Sequence, residues 1–244
     1  MTQPVPPAPE QLLPPRLRPA TGVAIGLCIL IVAVIGTLVA HDGMPSRLDS
    51  AVWNALPFPW GPAGQTGNGA RMLKAADIIR QLGGPLPITA LTALLCYCCL
   101  AMRRYRAAVL VAGSEIVASG LTEFALKPLV GRTLGGSLSY PSGHTCAAFA
   151  LAVPVVLILA SSPDTRMPRS MRIVLSTVTL GTAALVAFSM VAWHQHYLTD
   201  TFGGAAVGTG VALAGAMLID FVADRRRRET SSPAAAREEP ARLA

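Results

Sequence analysis

Six long apolar runs dominate the pattern of hydrophobic and polar positions along the chain. Each run holds about as many residues as a helix needs to cross the hydrocarbon core of a bilayer, roughly 20. The runs cover residues 20–40, 85–102, 107–126, 143–160, 173–193 and 201–222. We therefore predict an all-α integral membrane protein, a six-helix bundle over residues 20–222 that leaves no room for a separate soluble domain.

The segments outside these runs predict two tails and one large loop. Residues 1–19 are rich in proline and predict a disordered N-terminal tail. Residues 223–244, in which four arginines follow Asp224, predict a basic, disordered C-terminal tail. The outer loop over 41–84 combines aromatic residues with an amphipathic stretch at 70–82. We expect this loop to anchor at the membrane interface, and a substrate lid is the alternative.

The distribution of positive charge predicts the orientation of the bundle. A net charge of +7 would also suit a nucleic-acid-binding protein, but the basic residues lie at the ends of alternate apolar runs. If the N-terminus is cytoplasmic, 14 of the 20 Lys and Arg residues fall in cytoplasmic segments, which agrees with the positive-inside rule. We therefore predict that both termini face the cytoplasm, and we expect no nucleic-acid partner.

The cysteines predict neither disulfides nor a metal site. All five lie inside apolar runs, where cysteine packs as a small hydrophobic residue. Cys96, Cys98 and Cys99 are closely spaced, but no polar ligand partners surround them. We accordingly expect no metal and no other cofactor.

Ionisable residues gather at the predicted outer face of the bundle. Such residues are costly at the ends of membrane spans and therefore indicate function. They come from three separate loops: Lys127 and Arg132 after the third run, His144 at the start of the fourth, and His194, His196 and Asp200 between the fifth and sixth. Residues that only marked helix ends would not be expected to collect on one side in this way.

The segment Ser142-Gly143-His144 predicts a site for an anion. Pro141 and Gly143 interrupt the chain just before an apolar run, so backbone N–H groups at a helix N-terminus are free to bind phosphate. Ser142 adds a hydroxyl donor, and His144 would lie beside the bound group and transfer a proton. A capped helix start with a surface histidine is the alternative interpretation.

His196 and Asp200 predict an oriented nucleophile. Their spacing of four places the carboxylate one helical turn from the imidazole, where it accepts the Nδ1 proton and leaves Nε2 free to attack. Pairs of this kind are common by chance. The cations and the anion site on the same face give this pair its significance.

Together these residues resemble the signature of the type 2 phosphatidic acid phosphatases, the PAP2 superfamily of membrane lipid phosphatases. The resemblance covers roughly residues 107–222 and extends to the six-span plan. The three motifs are matched at Lys127, over Pro141 to His144, and at Ser189, His196 and Asp200. The first and third motifs are atypical, because Leu134-Gly135 replaces Arg-Pro and Met190 replaces an arginine.

The resemblance implies a metal-independent phosphatase that acts on a lipid phosphate or pyrophosphate, of the polyprenyl or glycerolipid type, at the extracytoplasmic side of the cell membrane. His196 would attack phosphorus and become a phosphohistidine, and Asp200 would orient it. His144 would protonate the leaving oxygen and then activate water. The groups that would hold the phosphate oxygens are Lys127, Arg132, Ser142 and Gly143.

The missing arginines and two acidic residues leave several points open. Arg132 is the predicted substitute for the lost charge, and His194, or Arg71 and Arg80 of the outer loop, are the alternatives for further charge. Ser189 is another accessory candidate. Glu123 lies four residues before Lys127 and is predicted to pair with it. Glu115 lies deeper in the third run, and three alternatives stay open for it: a protonated side chain, a pair with a neighbouring helix, or a place in a polar substrate pocket.

Two other functions also stay open. One is a transferase that passes the phosphoryl or headgroup unit to an alcohol other than water. The other is a protein that binds or transports lipid phosphates without turnover, which the missing arginines favour. The sequence does not predict the identity of the lipid or the oligomeric state.

Overall fold

The computed structural model describes residues 11–56, 58, 59, 61, 65–161 and 167–238, with the backbone alone beyond Glu229. A 3-10 turn at Pro15–Leu17 precedes α1. The α-helices are α1 (Arg18–Val39), α2 (Arg47–Ala55), α3 (Gly67–Leu82), α4 (Pro85–Ala101), α5 (Tyr105–Gly120), α6 (Lys127–Val130), α7 (Gly143–Ala160), α8 (Arg169–Ala192) and α9 (Leu198–Glu238). A π-helical segment, Leu121–Leu126, joins α5 to α6, and β1 (Thr133–Leu134) pairs antiparallel with β2 (Ser137–Leu138).

The prediction of an all-α, multi-span membrane bundle is confirmed. Five helical stretches within the described residues are long and apolar enough to cross a membrane: Pro15–Val39, Tyr105–Val130, Gly143–Ala160, Arg169–Ala192 and Leu198–Glu229. Helices α3 and α4, which are bent by 50° at their junction, make a sixth if they count as one span. Helix α4 alone has 17 residues, about 25 Å at helical rise, and is short for a bilayer core.

Close packing of α7 against α9 brings the two predicted motif segments together. A Cβ atom at Gly204 or Gly208 would collide with the α7 backbone at Ser142 or Cys146. The two glycines, four residues apart, therefore allow the helices to approach to backbone contact, which is typical of packing in a bilayer. At the end of this contact the Ser142 amide donates to the Asp200 carbonyl at 3.0 Å.

The chain between α5 and α7 forms a short hairpin. Gly131 ends α6 with a left-handed φ of +63°, and Gly135 and Gly136 make the β-turn with φ values of +58° and +82°. Glycine adopts such angles without steric cost. The hairpin places Leu134 and Ser139 on one wall of the cavity described below.

Both predicted tails are more ordered than expected over the residues described. Leu12 and Leu13 are buried, and their amides donate to the Asp220 carboxylate at 2.8–3.1 Å, so the predicted disorder of residues 1–19 is wrong from residue 11 onward. Residues 1–10 lie outside the described residues. Helix α9 continues through residue 223 to Glu238. Good helix formers, Arg225 to Glu229, follow the last span directly, and Arg225 pairs with Glu229 at 3.0 Å. Residues 239–244 also lie outside the description.

Candidate active site

A cavity of about 670 Å³ opens at the end of the bundle where α7 begins and α8 ends. Its walls come from α4, α5, the π-helical segment, the start of α6, the β-hairpin, α7, the end of α8 and the segment between α8 and α9. The polar and charged residues that line it are Thr89, Glu115, Ser119, Glu123, Lys127, Ser137, Ser139, His144, Gln195 and His196. The cavity therefore joins all three predicted motif segments.

His144 and His196, the two predicted catalytic histidines, both line this cavity. His144 lies in the first turn of α7, which Ser142 caps by accepting a hydrogen bond from the Thr145 amide at 3.5 Å. His196 lies just before the first turn of α9. The Gly204 and Gly208 contact between α7 and α9 thus sets the relative position of the two imidazoles.

Asp200 lies behind His196 and is completely buried. Its Oδ2 atom is 3.6 Å from His196 Nδ1 and accepts the Tyr197 amide at 3.0 Å. The Nδ1 atom itself is buried and has no hydrogen-bond partner within the part of the chain that the structure describes. This arrangement directs Nδ1 toward the carboxylate, as the spacing of four predicts, and leaves Nε2 for chemistry.

Lys127 lines the same cavity and is held by Glu123. Its Nζ atom lies 2.7 and 2.9 Å from the two carboxylate oxygens, which confirms the predicted pair. A Cβ atom at Gly143 would lie 2.7 Å from Glu123 Oε1. Gly143 therefore leaves the space in which this ion pair packs against the start of α7.

A family model for the PAP2 superfamily matches residues 88–223. The chain belongs to the PAP2 superfamily. The crystal structure of a transmembrane PAP2 type phosphatidylglycerolphosphate phosphatase from Bacillus subtilis superposes with a TM-score of 0.63 at 18% sequence identity, covering 82% of this chain and 96% of that chain. The match shows that the two proteins share a fold. No curated protein matches the chain.

Two apolar side chains lie in the cavity wall at positions where the resemblance predicts arginines. These are Leu134 and Met190, and both line the cavity. The following position, Gly135, has φ of +58°, which proline cannot adopt because its ring holds φ near −65°. The hairpin geometry therefore explains why Pro is absent, whereas nothing in the structure explains the loss of the arginine side chain at 134.

Arg132, the predicted substitute, is in a different place. Its side chain is fully buried and does not line the cavity, whereas Met190 does. The guanidinium donates to Asp200 Oδ1 at 2.7 Å, to the Thr199 hydroxyl at 2.7 Å and to Asp49 Oδ2 at 2.9 Å. The structure therefore places Arg132 behind the site, where two carboxylates bind its guanidinium, and not among the residues that line the cavity.

Three other predicted residues also lie outside the cavity lining. Ser142 is buried and caps α7, and the Ser189 hydroxyl donates to the Val186 carbonyl at 2.7 Å within α8. His194 has a φ of +55°, and its Nε2 atom lies 3.2 Å from the Trp53 carbonyl, with the two rings edge to face at 4.3 Å. His194 thus contacts the outer loop rather than adding charge to the cavity.

Asp49 is a site residue that sequence reasoning missed. Burial opposes its ionisation, but hydrogen bonds from the Thr199 amide, Arg132, the Thr199 hydroxyl and Ser46 outweigh this effect and hold the pKa of Asp49 below its usual value. A local signal was present, because Ser46 and Asp49 have the spacing of a capping box and form one at the start of α2. The pattern indicates a helix start but does not reveal the distant partners of Asp49.

Glu115 lies in the deep part of the cavity, where its Oε1 atom accepts a hydrogen bond from Ser119 at 2.8 Å. Its Oε2 atom is buried without a hydrogen-bond partner among the residues described. Of the three alternatives, this position favours the polar substrate pocket. Across the described ranges, no three His, Cys, Asp or Glu side chains converge in a way that could hold a metal ion.

Proposed function

We propose that this PAP2 protein is a membrane phosphatase that hydrolyses a lipid phosphate or pyrophosphate, of the polyprenyl or glycerolipid type, through a phosphohistidine on His196. The observation that carries the proposal is the cavity that His144, His196 and Lys127 line together, with the Asp200 carboxylate behind His196 Nδ1. A nucleophile, an acid and a cation in one cavity are the groups that phosphoryl transfer needs.

In the first half-reaction, His196 Nε2 attacks phosphorus while the bond from phosphorus to the lipid oxygen breaks. His144 donates a proton to that oxygen, and the lipid alcohol leaves. In the second, His144 takes a proton from water as the water oxygen attacks phosphorus, and the bond to Nε2 breaks. Inorganic phosphate leaves in this step. With a lipid pyrophosphate attacked at its outer phosphorus, the group that leaves in the first half-reaction is the lipid monophosphate instead of the lipid alcohol. Asp200 stabilises the charge that His196 gains.

Lys127 and the free amides at the start of α7 would hold the non-bridging oxygens of the phosphoryl group. A helix N-terminus presents N–H groups and a partial positive charge to an anion. Lys127 is the one Lys or Arg among the described residues that line the cavity. Because Leu134 and Met190 are apolar, the cavity binds a phosphoryl group with fewer positive charges than it would with arginines at both positions. This observation favours, as the second candidate, a protein that binds lipid phosphates without turnover.

The cavity continues from the histidines along α4 and α5 to Ile88, Glu115 and Ile116. Ile116 is 71% exposed on a helix that spans the membrane, so a lipid tail can reach this wall from the bilayer. With both termini in the cytoplasm, as the positive charges favour, the histidines face the extracytoplasmic side of the cell membrane. We further propose that turnover needs no metal ion.

Phosphate release from a panel of polyprenyl and glycerolipid phosphates tests this function. The detergent-purified protein and its His196→Ala variant are compared in the presence of EDTA. We expect release by the wild type and none above background by the variant. Activity that survives the substitution or requires a divalent metal would contradict the mechanism. Binding of labelled lipid phosphate without release would support the second candidate, and appearance of the label on an added alcohol would identify a transferase.

A further inference from the structure

Asp49 joins the outer loop to the segment that carries the proposed nucleophile. It lies on α2, and its side chain is completely buried. Its Oδ1 atom accepts the Thr199 amide at 3.0 Å, and its Oδ2 atom accepts the Thr199 hydroxyl and Arg132 Nη2, both at 2.9 Å. The Ser46 amide also donates to Oδ2, at 3.3 Å. Burying a carboxylate costs free energy unless hydrogen bonds and an opposite charge compensate, and Asp49 has both.

The contact with Thr199 completes the N-terminus of α9. This helix begins at Leu198, and the residue before it, Tyr197, has no short side chain that accepts a hydrogen bond from the first turn. Asp49 Oδ1 accepts the Thr199 amide in its place, from a segment 150 positions away. Asp200 accepts the Tyr197 amide at 3.0 Å, which is the other half of a capping box. Asp49 and Asp200 thus accept hydrogen bonds from the Thr199 and Tyr197 amides and together cap the first turn of α9.

The contact with Arg132 joins Asp49 to Asp200 in one buried ion-pair cluster. Arg132 lies between the two carboxylates, at 2.9 Å from Asp49 and 2.7 Å from Asp200. Two carboxylates and one guanidinium leave a net charge of about −1 beside His196, whereas Arg132 with Asp200 alone would be neutral. A net negative charge in this cluster stabilises the positive charge that the ring carries once it is phosphorylated.

The outer loop contacts the same segment at further points. The Tyr197 hydroxyl donates to the Gly43 carbonyl at 3.3 Å, and the Trp53 ring packs against the Tyr197 ring with a centroid distance of 5.1 Å. Trp53 also contacts His194. The residues on both sides of His196 are therefore fixed from the outer loop, at Asp49 and at Trp53.

On these contacts, and resting on the proposed function, we propose that Asp49 is a positioning residue for the phosphatase reaction. It acts through Arg132 and Asp200 to fix the orientation and charge environment of His196. The outer loop near α2 is then part of the catalytic support rather than a mobile lid or only an interface anchor.

Kinetic comparison of Asp49→Asn with Asp42→Asn tests this inference. Both substitutions neutralise an aspartate of the same loop, but Asp42 is exposed and its carboxylate accepts from the Met44 amide at 2.8 Å. We expect Asp49→Asn to lower kcat about 10-fold to 100-fold, with KM changed less than about 3-fold, because the substrate does not touch Asp49. Asp42→Asn should retain the wild-type kcat.

A double-variant cycle separates positioning from a general loss of stability. If Asp49 acts through Asp200, then Asp49→Asn should lower kcat by less than about 3-fold in an Asp200→Asn background. An equal loss in both backgrounds would show a merely structural role and overturn the inference.

A substitution at Thr199 gives a second test of the same contact. If Asp49→Asn does not yield folded protein, Thr199→Val removes the hydroxyl between Asp49 and Arg132 and should lower kcat about 3-fold to 10-fold. A wild-type kcat in both Asp49→Asn and Thr199→Val would overturn the proposal. An inactive wild type across the whole lipid panel would instead contradict the proposed function.

Discussion

Replacing Lys127 with methionine removes the positive charge of the cavity lining while keeping the length of the side chain. Lys127 Nζ is held by Glu123 at 2.7 and 2.9 Å, and Leu134 and Met190 add no charge to the walls. One charge-assisted hydrogen bond to a phosphoryl oxygen contributes about 1.5–3 kcal/mol. At about 1.4 kcal/mol for each factor of ten, we expect kcat/KM to fall about 10-fold to 150-fold.

This loss should appear without unfolding. Glu123 is 46% exposed, so its ion pair with Lys127 contributes at most about 1 kcal/mol to stability, and Tm should fall by no more than about 4 °C. Phosphate release in detergent and thermal unfolding are measured for Lys127→Met beside Lys74→Met, which removes an exposed lysine of α3. A Lys127→Met variant that keeps more than about a third of the wild-type kcat/KM would refute the reasoning.

Three further outcomes are expected. Glu123→Gln should lower KM by about 2-fold to 5-fold in steady-state kinetics, because the partly exposed carboxylate no longer competes with the phosphate for Lys127. An unchanged or raised KM would count against that competition. Gly135→Pro should lower Tm, because the residue has φ of +58°, and a variant as stable as the wild type would show that the hairpin tolerates the family's proline. The pKa of Asp49 is lower in the folded state, so its ionisation stabilises the fold above the ordinary aspartate pKa of about 4, and this contribution is lost as the pH falls through the folded-state pKa. The Tm difference between wild type and Asp49→Asn should therefore be largest near pH 7 and shrink toward pH 3. A Tm difference that does not depend on pH would contradict this prediction.

Local patterns were sufficient to predict the helical bundle and much of the cavity. Apolar runs of span length need no knowledge of their neighbours, since the bilayer is their common environment. The pair of Glu123 with Lys127 follows from a spacing of four on one continuous helical path. His144 and His196 could be placed together because the signature of the family joins two segments that are far apart in the sequence.

The position of Arg132 could not be predicted from its neighbours. Its two carboxylate partners lie 83 residues before and 68 residues after it, and the pattern near Asp49 indicates only a helix cap. An arginine close in sequence to a phosphate-binding motif is naturally predicted to bind the phosphate, and only the folded structure reveals that carboxylates from distant segments bind it instead. The order of residues 11–19 was missed for a similar reason, since it depends on Asp220 at the far end of the chain.

Direct detection of a phosphohistidine on His196 tests the central proposal most directly. The protein is mixed with a lipid phosphate that it turns over, quenched with alkali to preserve the acid-labile phosphoramidate bond, digested and examined by mass spectrometry. We expect phosphate on His196 in the wild type and none in His196→Ala. In His144→Ala the phosphate should appear on His196 more slowly and persist longer, because His144 is both the acid of the first half-reaction and the base of the second. Turnover with no phosphorylated His196 in either protein, or phosphate on another residue, would contradict the mechanism.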